Sequence, residues 1–329
     1  MPPASTLWKT RILKASRKLS KVISLALHQA LLTTSNSKPS IMKKIVISTV
    51  ALYLYLMLTG CDKEVDVILP STPNRLIIEG RVEKIIGESN YEQHITLSLL
   101  NEFFDQSQTP RVSDATVMVR DSRGNNYMYT QDTNTPGRYF NTELKGEVGE
   151  TYTLSVVWDG QTFEATETLM AVAKLDTVYQ KFEEENAFED GGIKLAIDFT
   201  DPVGDDNYYF WEVFSDGVNL MQPDPGNSGN VIARDEFWDG QKIEGYFPNE
   251  EKVFEPGDEV LVRHIGVSEE TYDFLFLLFE QTGQTGQLID VPPALIKGNI
   301  RNLTDPENIA MGYFGASEVD EEILVITER

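Results

Sequence analysis

Cysteine and histidine are nearly missing: one Cys and three His in 329 residues. A single thiol excludes an intramolecular disulfide framework and any site built from several cysteines. Three histidines leave little for a His-based metal centre or a proton relay. Basic residues are scarce too, 28 Lys+Arg against 52 Asp+Glu, for a net charge of -24. A chain so acidic repels phosphate, so nucleic acid is not expected as a partner. G-x-S-x-G, H-E-x-x-H, P-loop and G-x-G-x-x-G patterns are absent from the sequence. No catalytic residue, metal or cofactor is therefore expected. What is present, 41% hydrophobic and 24% charged residues, suits a globular protein, and the length suits about two domains after any leader.

Charge is unevenly spread. Residues 1–61 hold nine basic residues and no Asp or Glu, which leaves 19 basic against 52 acidic residues, a net -33, for 62–329. The switch marks a processing boundary. Met42-Lys43-Lys44 is a short positive start, and Ile45 to Leu58 is an uncharged apolar run of 14 residues. A helix of that length reaches about 21 Å, short of a ~30 Å hydrocarbon core, so it reads as a signal peptide rather than a span. Leu58-Thr59-Gly60-Cys61 follows at once and resembles the bacterial lipobox. By that resemblance Leu58, Thr59 and Gly60 are the signal-peptidase recognition residues and cleavage falls before Cys61. The Cys61 sulfur then takes a diacylglycerol and the new amine a fatty acid such as palmitate. Two or more acyl chains anchor stably, at ~0.8 kcal/mol per buried methylene.

The remaining segments are expected as follows. Residues 1–41 are a gene-start overcall or an extended leader, 42–60 the signal peptide, and 61–72 a tether. A β-sandwich domain spans 73–172 and a β-rich C-terminal domain 173–329. Asp62 to Asp66 resembles the surface-export signal of Bacteroidota lipoproteins; retention facing the periplasm stays open.

Leu76 to Ile86, Ile95 to Leu100 and Ala115 to Arg120 carry the β-branched or alternating pattern of strands. Thr151 to Trp158 and Gln161 to Thr168 flank Asp159-Gly160, a pair that supplies positive φ for a two-residue hairpin turn. Asp216-Gly217 and Asp239-Gly240 are expected to repeat that device. One helix is expected near 268–282, capped by Ser268, with Glu269 and Glu270 in its first turn. Tyr272, Leu275, Phe276 and Phe279 share one of its faces, and Phe274, Leu277 and Leu278 make the other apolar. Such a helix is expected to be buried on both sides, with a docking face as the alternative.

Val112, Asp114, Ala115 and Val117, then Asp121, Gly124, Gly137 and Tyr139, then Gly149 to Leu154 resemble an immunoglobulin-like or carboxypeptidase-regulatory-like β-sandwich. Further motifs are Leu76 to Gly80, Phe199 to Pro202, Pro293, Gly298 to Ile300, Asp305-Pro306 and Met311 to Ser317. With the lipobox, their order resembles the family called domain of unknown function 4249. That resemblance covers roughly 65–320. It implies an outer-membrane lipoprotein of Bacteroidota, often encoded beside TonB-dependent transporters. The implied role is a non-enzymatic accessory subunit in nutrient uptake, lipid-anchored and facing the cell surface. A free-standing surface module that binds glycan or protein is the alternative, with a glycan or peptide as the possible ligand, and a carboxylate-based hydrolase ranks last. Only Cys61 takes a role from the family. Trp211 and Trp238 are weak candidates for sugar stacking, though the alternation around Trp211 suits a strand buried on both faces. Asp201 to Asn207 could lend oxygens to calcium but reads better as a solvated turn. His94 is expected on a solvated strand face and His264 in a core or edge position.

Overall fold

The computed structural model describes residues 75–100, 109–185, 191–204, 206–220, 231–250, 252–282 and 296–328. The expected leader, lipobox with Cys61 and tether lie outside the described residues, as does Pro293.

Seven strands come first: β1 (Leu76–Ile85), β2 (Gln93–Leu99), β3 (Thr116–Asp121), β4 (Asn126–Gln131), β5 (Arg138–Asn141), β6 (Thr151–Trp158) and β7 (Gln161–Thr168). Then follow β8 (Leu175–Glu183), β9 (Gly192–Thr200), β10 (Tyr208–Ser215), β11 (Val218–Asn219), β12 (Ile232–Arg234), β13 (Lys242–Tyr246) and β14 (Glu259–Val267). Helix α1 (Glu269–Thr282), β15 (Arg301–Asn302) and β16 (Met311–Val325) complete the chain. The protein is mostly β and sandwich-like, with two sheets and one helix among the described residues.

The large sheet runs β11-β10-β14-β16-β1-β2-β5-β4-β3-β6-β7-β15, with β12 beside β10. It folds over on itself. Ile78 and Val82 of β1, Leu97 of β2, Val119 of β3, Leu154 of β6 and Phe163 of β7 all enter one core. The second sheet, β13-β9-β8, closes a second core in which Leu195, Ile197 and Phe199 meet Trp211, Val213 and Val262. The chain passes from one core to the other between Leu169 and Val172. Strand β16 serves both, through Phe314 and Ala316 in the first and Ile326 just past its end in the second. It pairs parallel to β1 and antiparallel to β14, so the first and last of the described strands lie side by side, between β14 and β2.

Local chemistry explains the turns. Asp159 and Gly160 have φ of 47° and 68° and join β6 to β7 through a two-residue loop. Asp216 and Gly217, at 50° and 75°, do the same for β10 and β11. Asp239-Gly240 is different. Only Gly240 is left-handed, and the pair precedes β13, which returns to β9 rather than to β12.

Helix α1 starts as expected. The Ser268 hydroxyl accepts the Thr271 N–H at 3.1 Å, satisfying a donor the first turn would leave unpaired. Its cover differs from the expectation of burial on both sides. Tyr272, Leu275 and Phe279 pack on Phe210, Ile265 and Val319 of the sheet. Phe276, expected to share that face, stacks beside Tyr272 but stays 46% exposed, and Leu277 on the other side is 50% exposed, because no second layer lies over the helix among the described residues.

Candidate functional site

The site follows from the face of the large sheet that points away from both cores. Along β10, Tyr209, Trp211 and Val213 face the second core, so Phe210, Glu212 and Phe214 face the other way. On β14 the same alternation turns Arg263 and Ile265 outward, and on β1 it turns out Ile77, Glu79, Arg81 and Glu83. Helix α1 covers only one end of this face. Beside it a groove of about 830 Å³ remains, with Phe274, Leu275 and Leu278 as one wall.

An ion-pair net forms the charged part of its floor. Glu212, Arg263 and Glu321 stand in cross-strand register on β10, β14 and β16. Arg263 donates to Glu212 at 2.6 Å, to Glu321 at 2.6 Å and to Glu83 at 2.7 Å. Arg81 donates through Nε to Glu83 at 2.7 Å and through Nη2 to Glu212 at 3.1 Å. To reach Glu212, Arg81 must cross β16 and β14. Its register partner on β16 is Gly315, and its stem lies 3.5–3.7 Å from where a Cβ on that glycine would stand. Ser317, opposite Glu83, is also small. Gly315 and Ser317, part of the Met311 to Ser317 motif, thus form a low floor beneath the long charged arms. In the same motif Gly312 has φ of 90°, and a Cβ there would stand 2.1 Å from the Ile78 carbonyl oxygen, so β1 and β16 can approach only with glycine.

Electrostatics fix the charge state of this floor. Burial would raise the Glu83 carboxyl, but the guanidiniums of Arg81 and Arg263 outweigh it and hold it down at about 2. Glu212 is lowered by the same two cations against the opposing effect of burial. Burial opposes the charge on Arg263, yet the facing carboxylates of Glu83 and Glu212 raise its pKa. Both acids are therefore ionised at neutral pH.

Two other acidic places exist. Asp201, Asp235 and Asp239 bring carboxylate oxygens within 4.8 Å of one another, which makes them the described residues that could hold a cation. Hydrogen bonds already engage them. Tyr209 OH donates to Asp201 at 2.5 Å and Gly240 N–H at 2.9 Å, Asn207 N–H donates to Asp235 at 2.9 Å, and Gly204 N–H to Asp239 at 2.7 Å. In the run from Asp201 to Asn207, Pro202 to Gly204 and Asp206 are exposed, as a solvated turn requires, but Asp201 at its start is buried and ties Tyr209 to Gly240. Elsewhere, Glu167 is buried at the start of α1 beside a cleft of about 510 Å³. It accepts from Thr168 N–H, Tyr313 OH, Ser268 Oγ and Thr271 Oγ1. Burial raises its pKa despite those donors.

The aromatic candidates separate from the groove. Trp211 is fully buried in the second core, on the opposite side of the sheet, with rings of Tyr246 at 4.5 Å and His264 at 5.4 Å. It has no face to offer a sugar, because strand alternation turns it inward. Trp238 packs against Phe199 and Tyr246, and its indole N–H donates to the Arg234 carbonyl. His94 lines the groove with an exposed side chain. His264 is fully buried. Sequence reasoning passed over Arg81, Glu83, Glu212, Arg263 and Glu321. A signal was present: Glu212 in YYFWEVFS and Arg263 in VLVRHI are lone opposite charges in otherwise apolar strands.

No curated protein matches this chain. Among solved structures, the crystal structure of bovine butyrophilin is similar at 14% identity over 59% of this chain and 92% of that one, with a TM-score of 0.20. So loose a likeness carries no argument about fold or function. The model of the family described as a domain of unknown function, DUF4249, matches residues 62–323. That match takes in every strand from β1 to β15 and all but the end of β16, so the chain belongs to the DUF4249 family.

Proposed function

We propose that this chain is a lipoprotein of the outer membrane, a non-enzymatic binding subunit that works beside a TonB-dependent transporter in nutrient uptake and holds its cargo in the groove under α1. The observation that carries the reading is the position of Cys61, directly after the apolar run and Gly60, with residues 62–75 ahead of β1. Fourteen extended residues reach about 50 Å at most. An acyl anchor on Cys61 would hold the groove within that distance of the membrane and raise its effective concentration at a membrane partner. Glu83 and Glu212 in the groove are both held ionised, so neither is the protonated general acid that a glycoside hydrolase needs.

Cys61→Ala is expected to shift the protein from the membrane to the soluble fraction and abolish acyl labelling. Mild detergent extraction of the unaltered protein is expected to bring a TonB-dependent transporter with it. An unchanged membrane distribution of Cys61→Ala refutes the anchor, and repeated purification without a transporter refutes the partnership.

A further inference from the structure

The groove has three properties that together select a ligand. First, part of the lining is apolar: Phe274, Leu275 and Leu278 of α1 and Phe210 and Phe214 of β10 all contribute to it. Its volume, about 830 Å³, lies within the ~300–1,000 Å³ usual for ligand sites. Second, the floor holds an open donor. Arg81 spends Nε and Nη2 on Glu83 and Glu212, while its Nη1 makes no hydrogen bond among the described residues and the side chain stays 20% exposed. Third, the lining has excess negative charge: Glu79, Glu83, Glu92 and Glu212 against Arg81 and Arg263. A ligand carboxylate brought to Arg81 would enter that excess, whereas a neutral acceptor completes the guanidinium without adding charge.

We propose that the groove binds an extended peptide segment with apolar side chains and no acidic residue. A backbone carbonyl accepts from Arg81 Nη1 and the side chains lie against the α1 wall. This rests on the reading of the groove as the cargo site and names the class of cargo. A glycan fits less well. Carbohydrate sites favour flat indole faces, and no tryptophan among the described residues lines the groove, Trp211 being behind the sheet and Trp238 packed on the second core. Tyr313, which does line it, has its ring beside that of Phe274 at 4.8 Å.

The test uses the full acylated chain in lipid nanodiscs and two labelled decapeptides, one alternating leucine with serine and one leucine with aspartate. Fluorescence anisotropy, with empty nanodiscs subtracted, reads binding. The serine peptide is expected to bind saturably and the aspartate peptide about tenfold more weakly. Leu278→Glu on the wall and Thr96→Glu on β2 are each expected to weaken the serine peptide by about tenfold, with an unchanged thermal melt showing that each variant remains folded. Equal binding of the two peptides, no binding above empty discs, displacement by maltoheptaose, or unaltered binding by the folded variants overturns the proposal. If peptide binding fails while the transporter still co-purifies, only the cargo class falls. If co-purification fails while the peptide binds, the partnership falls and the groove assignment stands.

Discussion

Replacing Arg263 by methionine tests the floor of the groove most directly. Methionine keeps the unbranched stem and removes the one group among the described residues that pairs with Glu83, Glu212 and Glu321 together. The Arg263 side chain is 12% exposed, and Glu83 and Glu212 are 13% and 16% exposed. Breaking a buried pair from one side costs about 3–5 kcal/mol. Arg81 still faces Glu83 and Glu212, which places the expected loss near the low end, about 3 kcal/mol at pH 7. Acid gives a second, independent handle. Glu83 is drawn from 4.5 down to about 2 in the folded protein, so its contribution is full above 4.5 and is lost as pH falls toward 2. At ~1.4 kcal/mol per tenfold, that contribution is about 3 kcal/mol at pH 7 and about 1 kcal/mol at pH 3. The gap between wild type and Arg263→Met should therefore narrow on acidification. Urea unfolding at both pH values, followed by circular dichroism, measures it, with an unchanged m-value showing that the two states keep the same exposed surface. Adding Glu83→Gln to the variant should restore part of the loss by removing a stranded charge. A variant within about 0.5 kcal/mol of wild type at pH 7, or a gap independent of pH, refutes the reasoning.

Other substitutions probe separate parts of the fold. Trp211→Ala should cost about 3–5 kcal/mol in urea unfolding by opening a cavity in the second core, and should leave peptide binding intact while the protein is folded. Ser268→Ala removes the cap of α1 and one donor to buried Glu167, for a loss of about 1–2 kcal/mol; Ser268→Thr should retain most of that stability. His264 has neither ring nitrogen hydrogen-bonded among the described residues, and burial lowers its pKa to about 3. The folded state therefore resists its protonation, and stability falls as pH drops from 6.5 toward 3. His264→Phe should cost little at pH 7 and be more stable than wild type by about 3 kcal/mol at pH 4, as read by thermal unfolding; equal pH profiles would refute it.

The features legible in the sequence are those decided within a few residues. Asp159-Gly160 turns the chain because a left-handed two-residue loop needs residues that tolerate positive φ. Ser268 starts the helix because its hydroxyl reaches only the next turn, and alternation over Ile95 to Leu99 marks a strand with one buried face. The same locality sets the limits. YYFWEVFS reads as a strand buried on both sides; the second core does bury one face, but α1 covers only part of the other. Nothing within those eight residues says that the rest of the outer face opens on a groove. Trp211 and Phe210 look equally able to line a site until β9 takes one side and α1 the other.

The charged floor belongs wholly to the tertiary structure. Arg81 meets Glu212 across 131 positions, and Arg263 meets Glu83 across 180. Each contact depends on the parallel pairing of the first and last strands and on a register in which a one-residue slip would turn every charge to the opposite face. Asp201, Asp235 and Asp239 converge for the same reason, from two loops whose separation in sequence says nothing of their distance in space. The resemblance to a lipobox is the opposite case: Leu58 to Cys61 carries it in four consecutive residues. Sequence alone therefore speaks for the hairpins and the helix start, which depend on local sterics and short-range chemistry, and it is the whole basis on which an anchor is proposed. Which charges meet, and which aromatic rings are hidden, was decided only when strands far apart in the chain were laid side by side.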